Sequence, residues 1–208
     1  MFRKPQILIP YLLLVAALAG VALWWQDRHA AEIPVLGKVV SSGSVDVGGP
    51  FTLTGQTGKQ VSSSDFRGRY MLVYFGYSMC PDVCPTTLAV MADALDKMGE
   101  KAKRIVPVFI TIDPERDTPK VLDAYMKAFG DRFVGLTGTP DEIAKVEKEF
   151  KVYAKKTPLD EAKGLGGGYG MDHSSVIYLM GPDGKIVSFY DELIPAAKLE
   201  AELRAKAR

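Results

Sequence analysis

The only two cysteines of this 208-residue chain stand three residues apart, in Cys80-Pro81-Asp82-Val83-Cys84-Pro85. Two sulfurs so close can form a disulfide, exchange disulfides as thiolates, or hold a soft metal ion. As a staple the pair is weak, because a loop this short removes little chain entropy. A core of this size also needs no staple. Two thiolates are too few for a structural zinc, which takes four ligands. A third donor must come from elsewhere, and the chain has two histidines. His29 reads as a solvated polar residue. His173, in Met171-Asp172-His173-Ser174, is the only histidine of the globular part. Two thiolates and one imidazole suit copper, since thiolate selects Cu(I) and Cu(II) tops the divalent affinity order. Thiol exchange through Cys80 and Cys84 stands beside metal binding as the second reading.

Pro81 and Pro85 each lack an N–H, so the pattern predicts a helix starting at Pro85 and a tight loop over the residues before it. Both sulfurs then lie near a helix N-terminus, where the macrodipole favours thiolate. Met79 and Met171 read as lining of the pocket rather than as ligands. Asp113-Pro114-Glu115-Arg116-Asp117-Thr118-Pro119 places carboxylates just before a helix. Capping that helix is their expected role, with partner docking or support of the ligands as the minority reading.

The elements around these residues alternate. Short strands at Phe51–Thr54 and Gln60–Val61 flank a glycine-bearing turn. Tyr70–Gly76 and Ile105–Ile112 are nearly continuous apolar runs, the habit of central strands covered on both faces. Apolar Leu88, Met91, Ala92 and Leu95 at helical spacing extend the helix to Met98. Thr118-Pro119 opens a helix to about Phe129, and Thr139-Pro140-Asp141-Glu142 opens another with a capping box. A loop from about Thr157 to Asp172 includes Gly164–Gly170, expected to be flexible and to let His173 close on a metal and retreat. Strands at Ser175–Met180 and Lys185–Tyr190 and a helix from about Pro195 complete the chain. This order predicts an α/β thioredoxin-like fold, a mixed central sheet with helices on both faces.

Ile7–Trp25 carries no charged residue and is long enough to cross a bilayer as a helix. Arg3 and Lys4 before it keep the N-terminus cytoplasmic, and Trp24 and Trp25 suit the membrane interface. No small-x-small cleavage site follows, so an uncleaved anchor is expected over residues 1–25. Residues 26–47 read as a tether and 48–208 as the domain. A formal net charge of +1 gives no general case for nucleic acid. The glycine-rich stretch lacks the Gly-Lys-Ser/Thr ending of a phosphate loop.

The segments Tyr77–Pro85 (YSMCPDVCP), Asp113–Pro119 (DPERDTP) and Asp172–Lys185 (DHSSVIYLMGPDGK) resemble the Sco/SenC family of membrane-anchored copper chaperones for cytochrome c oxidase. The resemblance runs from about Phe51 to the C-terminus. It implies Cys80, Cys84 and His173 as ligands of Cu(I) and/or Cu(II), with Asp113 and Asp117 in an acidic stretch near the site. It also implies delivery of copper to the copper A centre of oxidase subunit II, or reduction of the cysteine pair there. The latter would make Cys80 and Cys84 catalytic thiols. An upstream copper donor, a thiol reductant, and a location in the periplasm or the mitochondrial intermembrane space belong to the same expectation. Ser78-Met79 departs from the family, where threonine is more usual. A thioredoxin-type reductase would ordinarily show Cys-x-x-Cys with a cis-proline in place of His173-Ser174. A peroxiredoxin would need a proline and a threonine that Phe75–Met79 lacks.

Overall fold

The structure is a computed structural model, and it describes residues 18, 20, 21, 47–158 and 168–207. The apolar run Ile7–Trp25 and the tether after it lie almost wholly outside the described residues, as do Gly164–Gly167. Among the described residues, no helix is long and apolar enough to cross a membrane.

Among the described residues, nine strands and four α-helices follow in order. They are β1 (Thr52–Gly55), β2 (Gln60–Ser62), β3 (Tyr70–Gly76), α1 (Val83–Met98), β4 (Ile105–Thr111), α2 (Pro119–Lys127), β5 (Val134–Thr137) and α3 (Pro140–Phe150). Then come β6 (Ala154–Pro158), β7 (Tyr169–His173), β8 (Val176–Met180), β9 (Ile186–Asp191) and α4 (Ala196–Lys206). Seven strands make one sheet in the order β2-β1-β5-β4-β3-β8-β9, and β6 and β7 make a separate pair. The centre is parallel, β3 with β4 and β4 with β5, and every other pairing is antiparallel.

The apolar strands are central for the expected reason: six of the seven residues of β3 and all seven of β4 are buried. Successive side chains of a strand point to opposite faces, and β3 shows what each face meets. Tyr74 shares its face with Cys84 of α1. The neighbouring Phe75 packs on Phe150 of α3 at 5.2 Å between ring centroids, and both rings meet Tyr178 of β8 edge-on. Helices therefore cover both faces of a mixed sheet, the thioredoxin-like arrangement expected from element order. Helix α4 packs against α1.

The structure corrects the sequence reading in four places. Helix α1 begins at Val83, two residues before Pro85. The first-turn N–H groups have no partner inside a helix, so a proline third in line costs nothing there. The expected loop over Thr157–Asp172 is shortened by β6 and β7, which pair from Ala154 with His173 to Pro158 with Tyr169. Their lysines and glycines hide a strand signal that only pairing supplies. Strand β5 was also not anticipated, a four-residue segment around Gly135 pairing with both β4 and β1. The helix expected to reach Phe129 ends at Lys127. The two Thr-Pro helix starts are as expected, Thr118 Oγ1 accepting from Val121 N–H at 3.4 Å and Thr139 forming the capping box with Glu142.

Candidate metal centre

Parallel β3 and β4 end at the same edge of the sheet, and antiparallel β8 starts there, with Tyr74 opposite Ile177. The loop after β3 carries Cys80, and the residues just before β8 carry His173. Topology alone thus brings together positions 80, 84 and 173.

Cys84 is the second residue of α1 and fully buried, while Cys80 is half-buried in the loop before it; both are free thiols. Asp82, in the N-cap position, makes no side-chain cap. Instead the Cys84 N–H points at Cys80 Sγ, 3.4 Å away. A sulfur thus does what a cap oxygen would do, and a negative charge on it meets the positive end of the helix.

The two thiols separate in acidity. A hydrogen bond from the Cys84 thiol, helped by His173 and the N–H groups of Asp82 and Cys84, pulls Cys80 down to about 3, against the desolvation of its partly buried site. Cys84 is pushed far above the usual thiol range, first by giving that hydrogen bond and then by burial. Hydrogen bonding and burial thus make Cys80 the more acidic and Cys84 the less acidic thiol of the pair.

His173 ends β7, with Nε2 3.6 Å from Cys84 Sγ and Nδ1 3.0 Å from the carbonyl of Ser174. A carbonyl only accepts, so a hydrogen on Nδ1 satisfies it, and loss of any Nε2 hydrogen turns that nitrogen's lone pair to the sulfurs. Tyr77 lies edge-on against the imidazole, 6.1 Å between centroids. Among the described residues, no three or more His, Cys, Asp or Glu side chains are already arranged to hold an ion.

The acidic stretch after β4 braces both halves of this site. Asp117, fully buried, accepts from Ser78 N–H at 3.0 Å, from the Ser78 hydroxyl, and from Thr111 Oγ1 at 2.6 Å. It fixes the loop that leads into Cys80. Asp113, 1% exposed, pairs with Arg116 Nε and accepts from the Tyr169 hydroxyl at 2.8 Å. Arg116 in turn donates to the Tyr169 carbonyl at 2.9 Å and lies 3.8 Å over that ring and 5.7 Å from the ring of Tyr77. These contacts hold β7, and so His173, against the β4 end. The helix-capping role expected for Asp113 and Asp117 is not what the structure shows, because Thr118 performs it.

Two further residues shape the sulfur's seat. Gly76 has no room for a side chain, since a Cβ there would stand 2.9 Å from Cys84 Sγ. Met79 is 64% exposed beside Cys80, whereas Met171 is partly buried and packed on the core. Met79 thus lines nothing. Sequence reasoning missed Tyr77, Ser78, Arg116 and Tyr169; the one available signal was that Thr118 already served as N-cap, leaving the two aspartates without that task.

Fold and site together define a thioredoxin-like domain bearing a CxxxC dithiol and a facing histidine at the end of its central strands. The chain belongs to the SCO1/SenC family, whose model matches residues 40–208. The mitochondrial SCO1 homolog 1 of Arabidopsis thaliana is 38% identical over 188 residues, 86% of this chain and 55% of that protein. This chain therefore spans about half the length of that relative. The structure of Bradyrhizobium japonicum ScoI with copper bound superposes with a TM-score of 0.70 at 42% identity, over 77% of this chain and 99% of that one. BsSco matches with a TM-score of 0.61 at 26% identity, over 80% of this chain and 96% of its own. It is described as having a disulfide switch and as a member of the Sco family of cytochrome c oxidase assembly proteins.

Proposed function

We propose that this protein binds one copper ion through Cys80, Cys84 and His173 and carries it to cytochrome c oxidase during assembly of that enzyme's copper A centre. The observation that carries the reading is the approach of His173 Nε2 to 3.6 Å from Cys84 Sγ, with Cys80 Sγ accepting from the Cys84 N–H at 3.4 Å. Two soft sulfurs and one imidazole lone pair are a copper donor set. The copper-bound relative of the same fold supports the choice of metal. Small side-chain rotations would bring the three donors onto one ion, with Cys84 releasing its proton as copper enters.

Copper is the cargo here. Asp117 and the Asp113–Arg116–Tyr169 group hold the two ligand-bearing segments while Cys80, the half-buried donor, faces outward for transfer. Ile7–Trp25 would anchor the chain in a membrane with residues 26–47 as tether, placing the domain in a periplasm or intermembrane space. Subunit II of the oxidase is the expected acceptor, and a separate copper donor and thiol reductant complete the cycle.

A second reading is favoured by the split acidity of the pair. The Cys80 thiolate can attack a partner disulfide, breaking its S–S bond and forming a mixed disulfide. Cys84, once deprotonated, then displaces the reduced partner and leaves Cys80–Cys84 oxidised. A dithiol reductant would be needed to restore it.

Copper titration of the purified protein decides between these readings. Wild type is expected to bind one Cu(I), His173→Ala to bind it weakly, and Cys80→Ser with Cys84→Ser not at all. If His173→Ala matches wild type for both Cu(I) and Cu(II), the ligand set is wrong. If His173→Ala supports oxidase assembly in cells as well as wild type while the cysteine variant does not, thiol exchange is the activity.

A further inference from the structure

Tyr74, on β3 two residues before Gly76, is fully buried. Its phenol oxygen makes no hydrogen bond of regular geometry, and the Cys84 sulfur is among its polar neighbours. Buried hydroxyls held so loosely are uncommon in folded proteins and ask for a reason. Here the surroundings supply one. The Tyr74 ring and the Cys84 sulfur close on the same point, because a methyl group at Gly76 would stand 3.2 Å from Tyr74 Cε1 and 2.9 Å from Cys84 Sγ. Thr87 and Ser175 are the other polar neighbours of the hydroxyl. Thr87 gives its own hydrogen to the Val83 carbonyl at 2.9 Å. Phe109 walls the same space, 6.4 Å from Tyr74 between centroids.

We propose that Tyr74 is a positioning residue for Cys84, its hydroxyl donating a hydrogen bond to the Cys84 sulfur when that sulfur is bound to copper. The inference rests on the copper-binding reading above. In the free dithiol a thiol sulfur is only a weak acceptor, so a hydrogen aimed at it gains little. When copper replaces the thiol hydrogen, the proton leaves to solvent and the sulfur turns its lone pairs to a donor already in place. A hydrogen bond to a metal-bound thiolate draws electron density from sulfur and tunes the metal's potential. Partners of this kind typically change metal affinity about 10–100-fold. The hydroxyl, only loosely engaged with Cys84, Thr87 and Ser175 in the metal-free protein, gains a stronger acceptor in the loaded one.

The test is Tyr74→Phe in the full chain, which keeps the ring and removes only the oxygen. Copper is titrated into both proteins, with the sulfur-to-copper(II) charge-transfer band read by visible absorption. Tyr74→Phe is expected to bind one copper with affinity reduced about tenfold and with the band moved to lower energy, the sulfur being richer in electrons. Thr87→Val, which removes an alternative polar neighbour of the phenol hydrogen, is expected to move the band the opposite way. An unchanged band and affinity in Tyr74→Phe, with copper bound, would overturn the role of Tyr74 and leave the copper reading intact. So would a Thr87→Val band that follows the Tyr74→Phe one. If wild type itself binds no copper, the copper reading falls and this inference falls with it.

Discussion

The Asp117 carboxylate accepts hydrogen bonds from both the main-chain N–H and the hydroxyl of Ser78, two residues before Cys80. A buried side chain from the β4–α2 connection thus fixes the geometry of a loop belonging to β3. The hydroxyl, rather than the identity of the residue bearing it, is what this contact requires. Threonine at this position would keep the same bond.

Asp117→Asn tests that bracing. An amide offers one oxygen where the carboxylate offers two, and its NH2 would face the Ser78 and Thr111 donors. We expect a loss of about 1–3 kcal/mol of stability, read by denaturant unfolding. Copper affinity should fall about 10–100-fold, as for other groups that orient ligands. Retained affinity in a folded variant would show that the loop is held by other means.

Cys80 and Cys84 should label differently with pH. Cys80 is lowered to about 3, so its thiolate is present above that value and is lost only as pH falls through it. Alkylation of the metal-free protein by iodoacetamide, followed by peptide mass, is expected to modify Cys80 at a nearly constant rate from about pH 5 to pH 8, because an unperturbed thiol would instead slow about tenfold per unit. Cys84, raised and buried, should remain unlabelled over that range. A Cys80 rate that tracks an ordinary thiol would remove the hydrogen-bonded pair.

Most of the sheet was legible in the sequence from short-range signals, and the meeting of positions 80, 84 and 173 from the order of the strands. Tyr70–Gly76 and Ile105–Thr111 are apolar on both faces, and Thr118-Pro119 and Thr139-Pro140 announce helix starts. The β6–β7 pair was not legible, since Ala154–Pro158 and Tyr169–His173 carry no alternation and form strands only against each other. The bracing by Asp113 and Asp117 was hidden for a related reason. Its partners Ser78 and Tyr169 lie 39 and 56 residues from the aspartates they bond in sequence, and only the folded chain puts them together.

Gly76→Ala should damage both the fold and the sulfur's seat. The added Cβ would lie 2.9 Å from Cys84 Sγ and 3.0 Å from Phe109 Cε2, contacts closer than packed atoms adopt. Overpacking of this kind costs about 1–3 kcal/mol, and the atom with most freedom to yield is the sulfur. Thermal unfolding should show the loss, and copper titration a weaker site. Unchanged stability and affinity would mean that the α1 start shifts as a unit to make room.

The half-buried Glu147 on α3 predicts a pH dependence unrelated to the copper site. Burial raises its carboxyl to about 7, above the ordinary value of about 4.3. The folded state therefore binds its proton more tightly than the unfolded state, and this contribution to stability is fully present below about pH 4 and lost as pH rises through 7. Glu147→Gln has no proton to lose, so it should match or slightly trail wild type at pH 4 and exceed it at pH 8. Partial exposure screens the effect, and we expect the gain to be on the order of 1 kcal/mol. Denaturant melts of both proteins at the two pH values read it directly, and a difference independent of pH would show that the carboxyl titrates as it does in the unfolded chain.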